Sequence, residues 1–153
     1  LPRLLERAGR DDGPGSITGI YTVLVEGDDM NDPVGDSARS ILDGHIILSR
    51  DLASKNHYPA VDILQSASRV MSAVTSKEQQ SHAGMIRELL AAYRKAEDRI
   101  NIGAYRSGAN PLIDRAVRQH DAVNKLLRQQ VEDSVNAEEA LSIMGSIVNE
   151  EQQ

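Results

Sequence analysis

The chain has 153 residues, 40% of them hydrophobic, and a formal net charge of −6. That is enough for one or two small cores. The absence of cysteine excludes disulfides and thiolate metal sites, and 17 basic residues spread along an acidic chain argue against a surface built for nucleic acid. No apolar run approaches the roughly 18 residues of a membrane span, and residues 1–15 lack the apolar stretch of a signal peptide. A soluble, cytoplasmic protein is expected.

"LPRLLERAGR" opens the chain with Leu1, Leu4, Leu5 and Ala8 at helical spacing and Gly9 where a C-cap belongs. It reads as a helix entered midway and, without an initiating methionine, as part of a longer protein; a trimmed complete domain is the alternative. After the turn cluster Gly13-Pro14-Gly15, "SITGIYTVLVEG" is almost continuously apolar or β-branched from Ile20 to Val25. That pattern predicts a strand buried on both faces of a parallel sheet. "DDMNDPVGD" is a polar loop, Asp36 to Gly44 a short helix capped by Asp36, and "HIILS" a second strand. The β–helix–β order predicts a parallel α/β unit with its loops gathered at one sheet edge.

After residue 75 strands vanish. Ser76 and Gln79 form a capping box ahead of a long amphipathic helix carrying Ile86, Leu90, Tyr93, Ala96 and Ile100. Asn110-Pro111 starts a second, with Ile113, Val117, His120, Val123 and Leu127 on one face. Asn136 and Glu139 start a third, with Ala140, Leu141, Met144, Ile147 and Val148. The expected division is an α/β part over 1–75 and a helical module over 76–153.

No lysine follows a glycine, which excludes a phosphate loop of the G-x-x-x-x-G-K-[ST] kind within the chain. His45, His57, His82 and His120 lack metal-ligand spacing, so no metal site is expected, and no G-x-S-x-G elbow supports a hydrolase triad. Three stretches stand out. "EGDDMNDP" places Asp28, Asp29 and Asp32 on the loop that ends the first strand; they bind a cation or a basic partner, or they satisfy their own turn backbone. "HYPAVD" fixes Tyr58 beside Pro59, either as a stacking platform or as a core tyrosine. "SASRVMSAVT" sets Arg69 in apolar company that predicts burial, where a guanidinium must find an internal carboxylate or phosphate oxygens from elsewhere.

These residues carry a resemblance. "GSITGIYTVLVEGDDMNDPVGDSARSILDGHIILSRDLASKNHYPAVDILQSASRVM", residues 15–71, closely resembles the C-terminal part of the catalytic domain of flagellum-specific ATP synthases, the flagellar type III export ATPases. "LPRLLERAG" and "INIGAYRSGANPLIDRAV" at 100–117 are similar to the same family. "GHIILSR" and "ASRVM" are shared with injectisome ATPases, while "INIGAYRSG" resembles the flagellar branch; rotary ATPase catalytic subunits are wider relatives.

The resemblance implies the edge of a RecA-like parallel-sheet ATPase domain followed by an α-helical lever module. It implies that Arg69 is the arginine finger reaching the γ-phosphate in a neighbouring subunit's site, and that Tyr58 stacks on the adenine bound by its own subunit. Asp28, Asp29 and Asp32 match the loop facing a central coiled-coil stalk within a hexameric ring. The helix–turn–helix around Ser107–Leu112 matches the element that pushes on that stalk. ATP and Mg2+ are the implied cofactors; the export apparatus and chaperone–substrate complexes are the implied partners, at the base of the flagellar export apparatus with at most peripheral membrane association. The family's phosphate loop, catalytic glutamate and magnesium-binding aspartate lie upstream of Leu1, so this piece alone is expected not to hydrolyse ATP. Rotary β subunits also supply a second aromatic to the base pocket. "LRQQVEDS" offers Gln130 and Val131 there, which implies loose base selectivity.

Overall fold

Residues 2–28 and 32–150 are described by a computed structural model. The chain divides into two compact units, Leu1–His45 and Ile46–Gln153. In the first, the N-terminal helix is a single turn, α1 (Pro2–Leu5), with Leu5 buried. Gly9 does not cap it. It adopts φ 153 and opens a two-residue strand, β1 (Gly9–Arg10), paired antiparallel with β2 (Ser16–Ile17) through Gly9–Ile17 and Arg10–Ser16. The Asp11 carboxylate closes this hairpin by accepting from the backbone N–H of Gly13 at 2.8 Å and Gly15 at 3.1 Å.

Residues 20–25 form no strand, and Ile20 and Leu24 are 93% and 90% exposed. The expectation of a doubly buried strand therefore fails within this chain. An apolar run becomes such a strand only where neighbouring strands and helices cover both faces, and among the described residues no strand exceeds two residues. Helix α2 (Pro33–Ile41) is real, but its cap is Asp32 rather than Asp36. Asp32 Oδ1 accepts from Val34 and Gly35 N–H, each at 2.9 Å, and Pro33 takes the first helical position, where a missing N–H costs nothing. Asp36, one turn on, instead pairs with Arg39 at 3.2 Å. A Cβ at Gly35 would lie 3.1 Å from a Val25 methyl, a tight contact that the valine would have to give way to relieve. The unit ends in β3 (Gly44–His45).

The second unit begins with an antiparallel ribbon. Ser49 N–H donates to Ala60 at 2.8 Å, Asp62 N–H to Ile47 at 2.9 Å, and Leu48 pairs with Val61 between them. Helix α3 (Arg50–Ser54), capped by Ser49 Oγ, fills the connection; β4 (Ala67–Ser68) and α4 (Met71–Val74) follow the ribbon.

Three helices form the core: α5 (Lys77–Asn101), α6 (Pro111–Leu127) and α7 (Ala137–Asn149). Each starts where its cap predicts. Ser76 and Gln79 form both bonds of the capping box, Asn110 Oδ1 accepts from Leu112 and Ile113 N–H, and Asn136 Oδ1 accepts from Glu139 N–H. Ile86, Leu89, Ala92, Ala116, Val123 and Ile147 make the buried cluster. The stripe on α5 is thus turned toward Leu89 and Ala92, and on α6 Ala116 and Gln119 are buried while Val117 is 38% exposed. The C-terminal carbonyls of α7 are not left to water. Gln119 Nε2 donates to Ile147 at 2.7 Å and Arg115 Nη2 to Val148 at 2.6 Å, and Arg115 Nε donates to Gln119 Oε1 at 3.1 Å. The α5–α6 turn is pinned by Asp114, which accepts from Tyr105 Oη and Gly108 N–H, both at 2.9 Å.

Candidate functional site

The three stretches singled out by sequence fall in both units. Asp32 lies in the first and is occupied as a helix cap, which is the turn reading of its loop. Asp28 closes a 3-10 turn, Glu26–Asp28, whose central Gly27 has φ 63; Asp29 lies outside the described residues. Tyr58 and Arg69 lie in the second unit, Tyr58 in the connection of the ribbon after α3 and Arg69 between the ribbon and α5. Arg69 sits on the bend after β4 and is exposed, as are its neighbours Val70 (42%) and Val74 (72%). The expected burial of this cation is therefore corrected: apolar neighbours on a bend are turned outward rather than packed around it.

Tyr58 is 52% exposed and precedes Pro59 through a cis peptide. The backbone on either side of His57 is tied to the C-terminal end of α6. Arg128 Nη2 donates to the Asn56 carbonyl at 2.7 Å, and Gln129 N–H donates to the Tyr58 carbonyl at 2.8 Å. The tyrosine is thereby held on a fixed backbone with about half of its surface exposed. Such a ring offers a face for a planar base. Val131, three residues beyond Arg128, is 97% exposed.

A residue that sequence left unremarked organises the segment leading to Arg69. Asp62, 4% exposed, accepts at Oδ1 from Leu64 and Gln65 N–H (2.9 and 3.2 Å), and at Oδ2 from Gln65 Nε2 (2.9 Å) and Arg94 Nη2 (3.1 Å). Burial pushes this carboxyl up, but the Gln65 hydrogen bonds and the Arg94 guanidinium outweigh it and hold the group below the ordinary carboxylate value. The Asp62 carbonyl in turn accepts from Ser66 N–H at 3.0 Å and Ser66 Oγ at 2.7 Å, while Ser66 Oγ accepts from Ile47 N–H at 3.0 Å. Arg87 Nη2 donates to the Ser66 carbonyl at 3.1 Å. The signal available in the sequence was the seven-residue spacing of Arg87 and Arg94, two turns along one face of α5.

Beside this knot lies a cleft of about 480 Å³ whose polar lining includes Lys55, His57, Asp62, Arg94 and His120. Lys55 pairs with Asp51 at 3.0 Å and Glu97 at 3.8 Å, and its pKa is raised by the Asp51 hydrogen bond and then by the Glu97 charge. His120 stacks on Tyr93 with ring centres 3.5 Å apart and planes 9° from parallel, and its Nε2 lies 2.8 Å from the Asn124 amide. Burial holds both His120 and His57 below the ordinary histidine value. Among the described residues no three His, Asp or Glu side chains gather as a metal site, and no helix is long and apolar enough to cross a membrane.

Comparison with known proteins gives this geometry its setting. Residues 1–68 match the ATP synthase alpha/beta family, nucleotide-binding domain, and residues 75–146 match the T3SS EscN ATPase C-terminal domain. The chain is 51% identical over 141 residues to a type 3 secretion system ATPase of Pseudomonas syringae pv. tomato, covering 92% of this chain and 31% of that protein. It is 46% identical over 152 residues to the flagellum-specific ATP synthase of Bacillus subtilis, covering 99% and 34%. The assembled ATPase EscN of the enteropathogenic E. coli type III secretion system superposes with TM-score 0.92 at 45% identity, over 96% of this chain and 35% of that one. EscN in complex with its central stalk EscO does so with TM-score 0.85 at 42% identity, over 96% and 34%. The chain thus spans about a third of the length of the curated relatives it matches. Likeness at this level gives the α/β ATPase fold class expected from the sequence. The two matches lie end to end: residues 1–68 are similar to the nucleotide-binding domain of the ATP synthase alpha/beta family and residues 75–146 to the C-terminal domain of the T3SS ATPase EscN.

Proposed function

We propose that this chain is the C-terminal part of a flagellar protein-export ATPase, in which a ring of six subunits hydrolyses Mg-ATP at subunit interfaces to drive export. The observation that carries the reading is the order of the two family matches along one chain, a nucleotide-binding domain and then a secretion-ATPase C-terminal domain. Functionally we divide the chain at 75/76, where Ser76 caps α5. Arg69 acts as the arginine finger on the neighbouring subunit's γ-phosphate. Its exposure on a bend suits a group that works outside its own fold, and the planar guanidinium meets developing phosphoryl charge two oxygens at a time. Tyr58 stacks on adenine. The Asp28, Asp29 and Asp32 loop and the α5–α6 turn face a stalk; in support, the similar ATPase EscN forms a complex with a central stalk, EscO.

The residues present suit a nucleotide's edge, an open aromatic face and an exposed guanidinium, while Mg2+ and the phosphate loop are assigned by the resemblance to residues upstream of Leu1. In the cell we place the enzyme in the cytoplasm beneath the export apparatus, where it receives chaperone–substrate complexes. The test is Arg69→Ala in the full-length enzyme. ATP affinity stays within about twofold, and turnover falls by about 10³ or more. Unchanged turnover overturns the reading, and stalk binding without nucleotide turnover in the unmodified protein points to a non-enzymatic interaction module.

A second reading has an observation in its favour. Identity is 51% to the Pseudomonas secretion ATPase against 46% to the Bacillus flagellar enzyme, which favours the injectisome branch, whereas the "INIGAYRSG" stretch favours the flagellar one. Complementation decides between them: restored motility in a strain lacking its flagellar ATPase supports the first, restored effector secretion in a strain lacking its secretion ATPase the second.

A further inference from the structure

We infer that Arg94 and Arg87 of α5 are positioning residues for Arg69, setting the finger's placement from the helical module through Asp62 and Ser66. The inference rests on the finger role proposed for Arg69.

The segment approaching Arg69 has little regular structure of its own. β4 is two residues long, and the bend after it is exposed. A closed set of bonds among Ile47, Asp62 and Ser66 ties down its start, and α5 grips that set at two points. Arg94 meets the buried Asp62 carboxylate at 3.1 Å, and Arg87 meets the Ser66 carbonyl at 3.1 Å. A buried carboxylate needs a charged partner, because amide donors alone compensate its desolvation incompletely. Among the described residues the one cation within ion-pair distance of Asp62 is Arg94, whose own side chain is half exposed.

Two grips seven residues apart on a helix define a direction as well as a point. Ser66 is three residues before Arg69, so the finger's backbone inherits that direction. Misplacement of a transition-state group by about 1 Å costs up to about a hundredfold in rate while leaving ground-state binding nearly untouched. Loss of either grip should therefore appear in kcat and spare KM. Asp62 also holds the turn 62–66 directly, so its removal would mix local unfolding with misplacement; the arginines, whose side chains are partly exposed, separate the two effects.

The experiment measures ATP turnover in the full-length enzyme for Arg94→Ala, Arg94→Lys, Arg87→Ala and Arg69→Ala, and for Arg94→Ala combined with Arg69→Ala. Arg94→Ala is expected to lower kcat about tenfold with KM within twofold. Arg94→Lys, which keeps the charge, recovers most of that loss, and Arg87→Ala loses a few-fold. In the Arg69→Ala background Arg94→Ala has no further effect on the residual rate, since a residue acting through another adds nothing once that other is gone. An equal loss on both backgrounds, or unchanged kcat in both Arg94→Ala and Arg87→Ala, overturns the inference while leaving the finger intact. If Arg69→Ala itself leaves turnover unchanged, the finger reading falls and this inference with it. A melting curve for each variant separates misplacement from unfolding: loss of kcat that follows loss of Tm, unrecovered by Arg94→Lys, also overturns it.

Discussion

Arg128, just past the end of α6, holds the Asn56 carbonyl at 2.7 Å, two residues before Tyr58, across 72 residues of sequence. The two residues proposed to face nucleotide are thus tied to different helices, Tyr58 to the end of α6 and the segment before Arg69 to α5. With Tyr58 stacking on the base, Arg128→Ala loosens the ring before any chemistry occurs. In the full-length enzyme KM for ATP is expected to rise about three- to fivefold with kcat within twofold, because stacking on one aromatic face contributes on the order of 1 kcal/mol and acts equally on substrate and transition state. Steady-state kinetics read the split; a fall in kcat with KM unchanged contradicts it.

The position following this clip bears on base choice. Val131 is 97% exposed, and if it takes the place of the second aromatic that rotary β subunits supply, a base stacked on Tyr58 has an aromatic partner on one face alone. Turnover of GTP and ATP is expected to agree within about fivefold, since one stacking face has little to distinguish purines. Competition between the two nucleotides measures the ratio, and a preference for ATP of a hundredfold or more would show that other groups read the base.

Acidification should weaken the second unit. His120 and His57 are both held below their ordinary value of 6.5, His120 by burial between Tyr93 and Asn124 and His57 by burial and then the Arg128 charge. The folded chain resists protons that the unfolded chain takes up, so stability is full above about pH 6.5 and declines as pH falls toward 5. Asp62, held low, adds a further loss as pH falls through and below the ordinary carboxylate range, where the unfolded chain takes up a proton that the folded carboxylate resists. His120→Phe keeps the stack and removes the titration. Chemical unfolding at pH 7.5, 6.5 and 5.5 should show a shallower decline for this variant; an identical pH slope would mean that His120 protonation is not linked to folding.

Gln119 is a buried polar side chain with three bonds' worth of consequence. It donates to Ile147 and accepts from Arg115, which itself donates to Val148. Gln119→Leu preserves size and strands the Ile147 carbonyl and the Arg115 Nε, at a cost of about 2 kcal/mol. Urea unfolding gives the number. A stabilised variant would mean that water reaches the end of α7 at no penalty.

The helical module was legible because its signals are local. Ser76 and Gln79, Asn110 and Pro111, and Asn136 each name a helix start within four residues, and a 3.6-residue period names a face. The face was off by a fraction of a turn on α5, since Leu90 and Tyr93 read as well as Leu89 and Ala92 on periodicity, and only the packing of α6 and α7 decides. Residues 1–75 were less legible. Asp36 reads as a helix cap, yet Pro33 marks the first helical turn and Asp32 takes the role. Ile20 to Val25 read as a strand on composition, yet pairing is a property of neighbours rather than of the run itself. Arg69 looked buried for the same reason: Val70 and Val74 are apolar, and nothing local says which way a bend turns them. Asp62 escaped notice because its partner Arg94 lies 32 residues away.

Helix α5 runs unbroken from Lys77 to Asn101. From the grip at Arg87 to Asn101 is 14 residues, about 21 Å of rigid rod at 1.5 Å per residue. Pivoted at Arg87, a tilt of about 5° carries the α5–α6 turn through about 2 Å but Arg94, half as far along, through only about 1 Å. A rod tilting so would work as a reduction gear: a coarse displacement at the turn would reach the Asp62 carboxylate halved in amplitude, on the scale at which a hydrogen bond is made or lost.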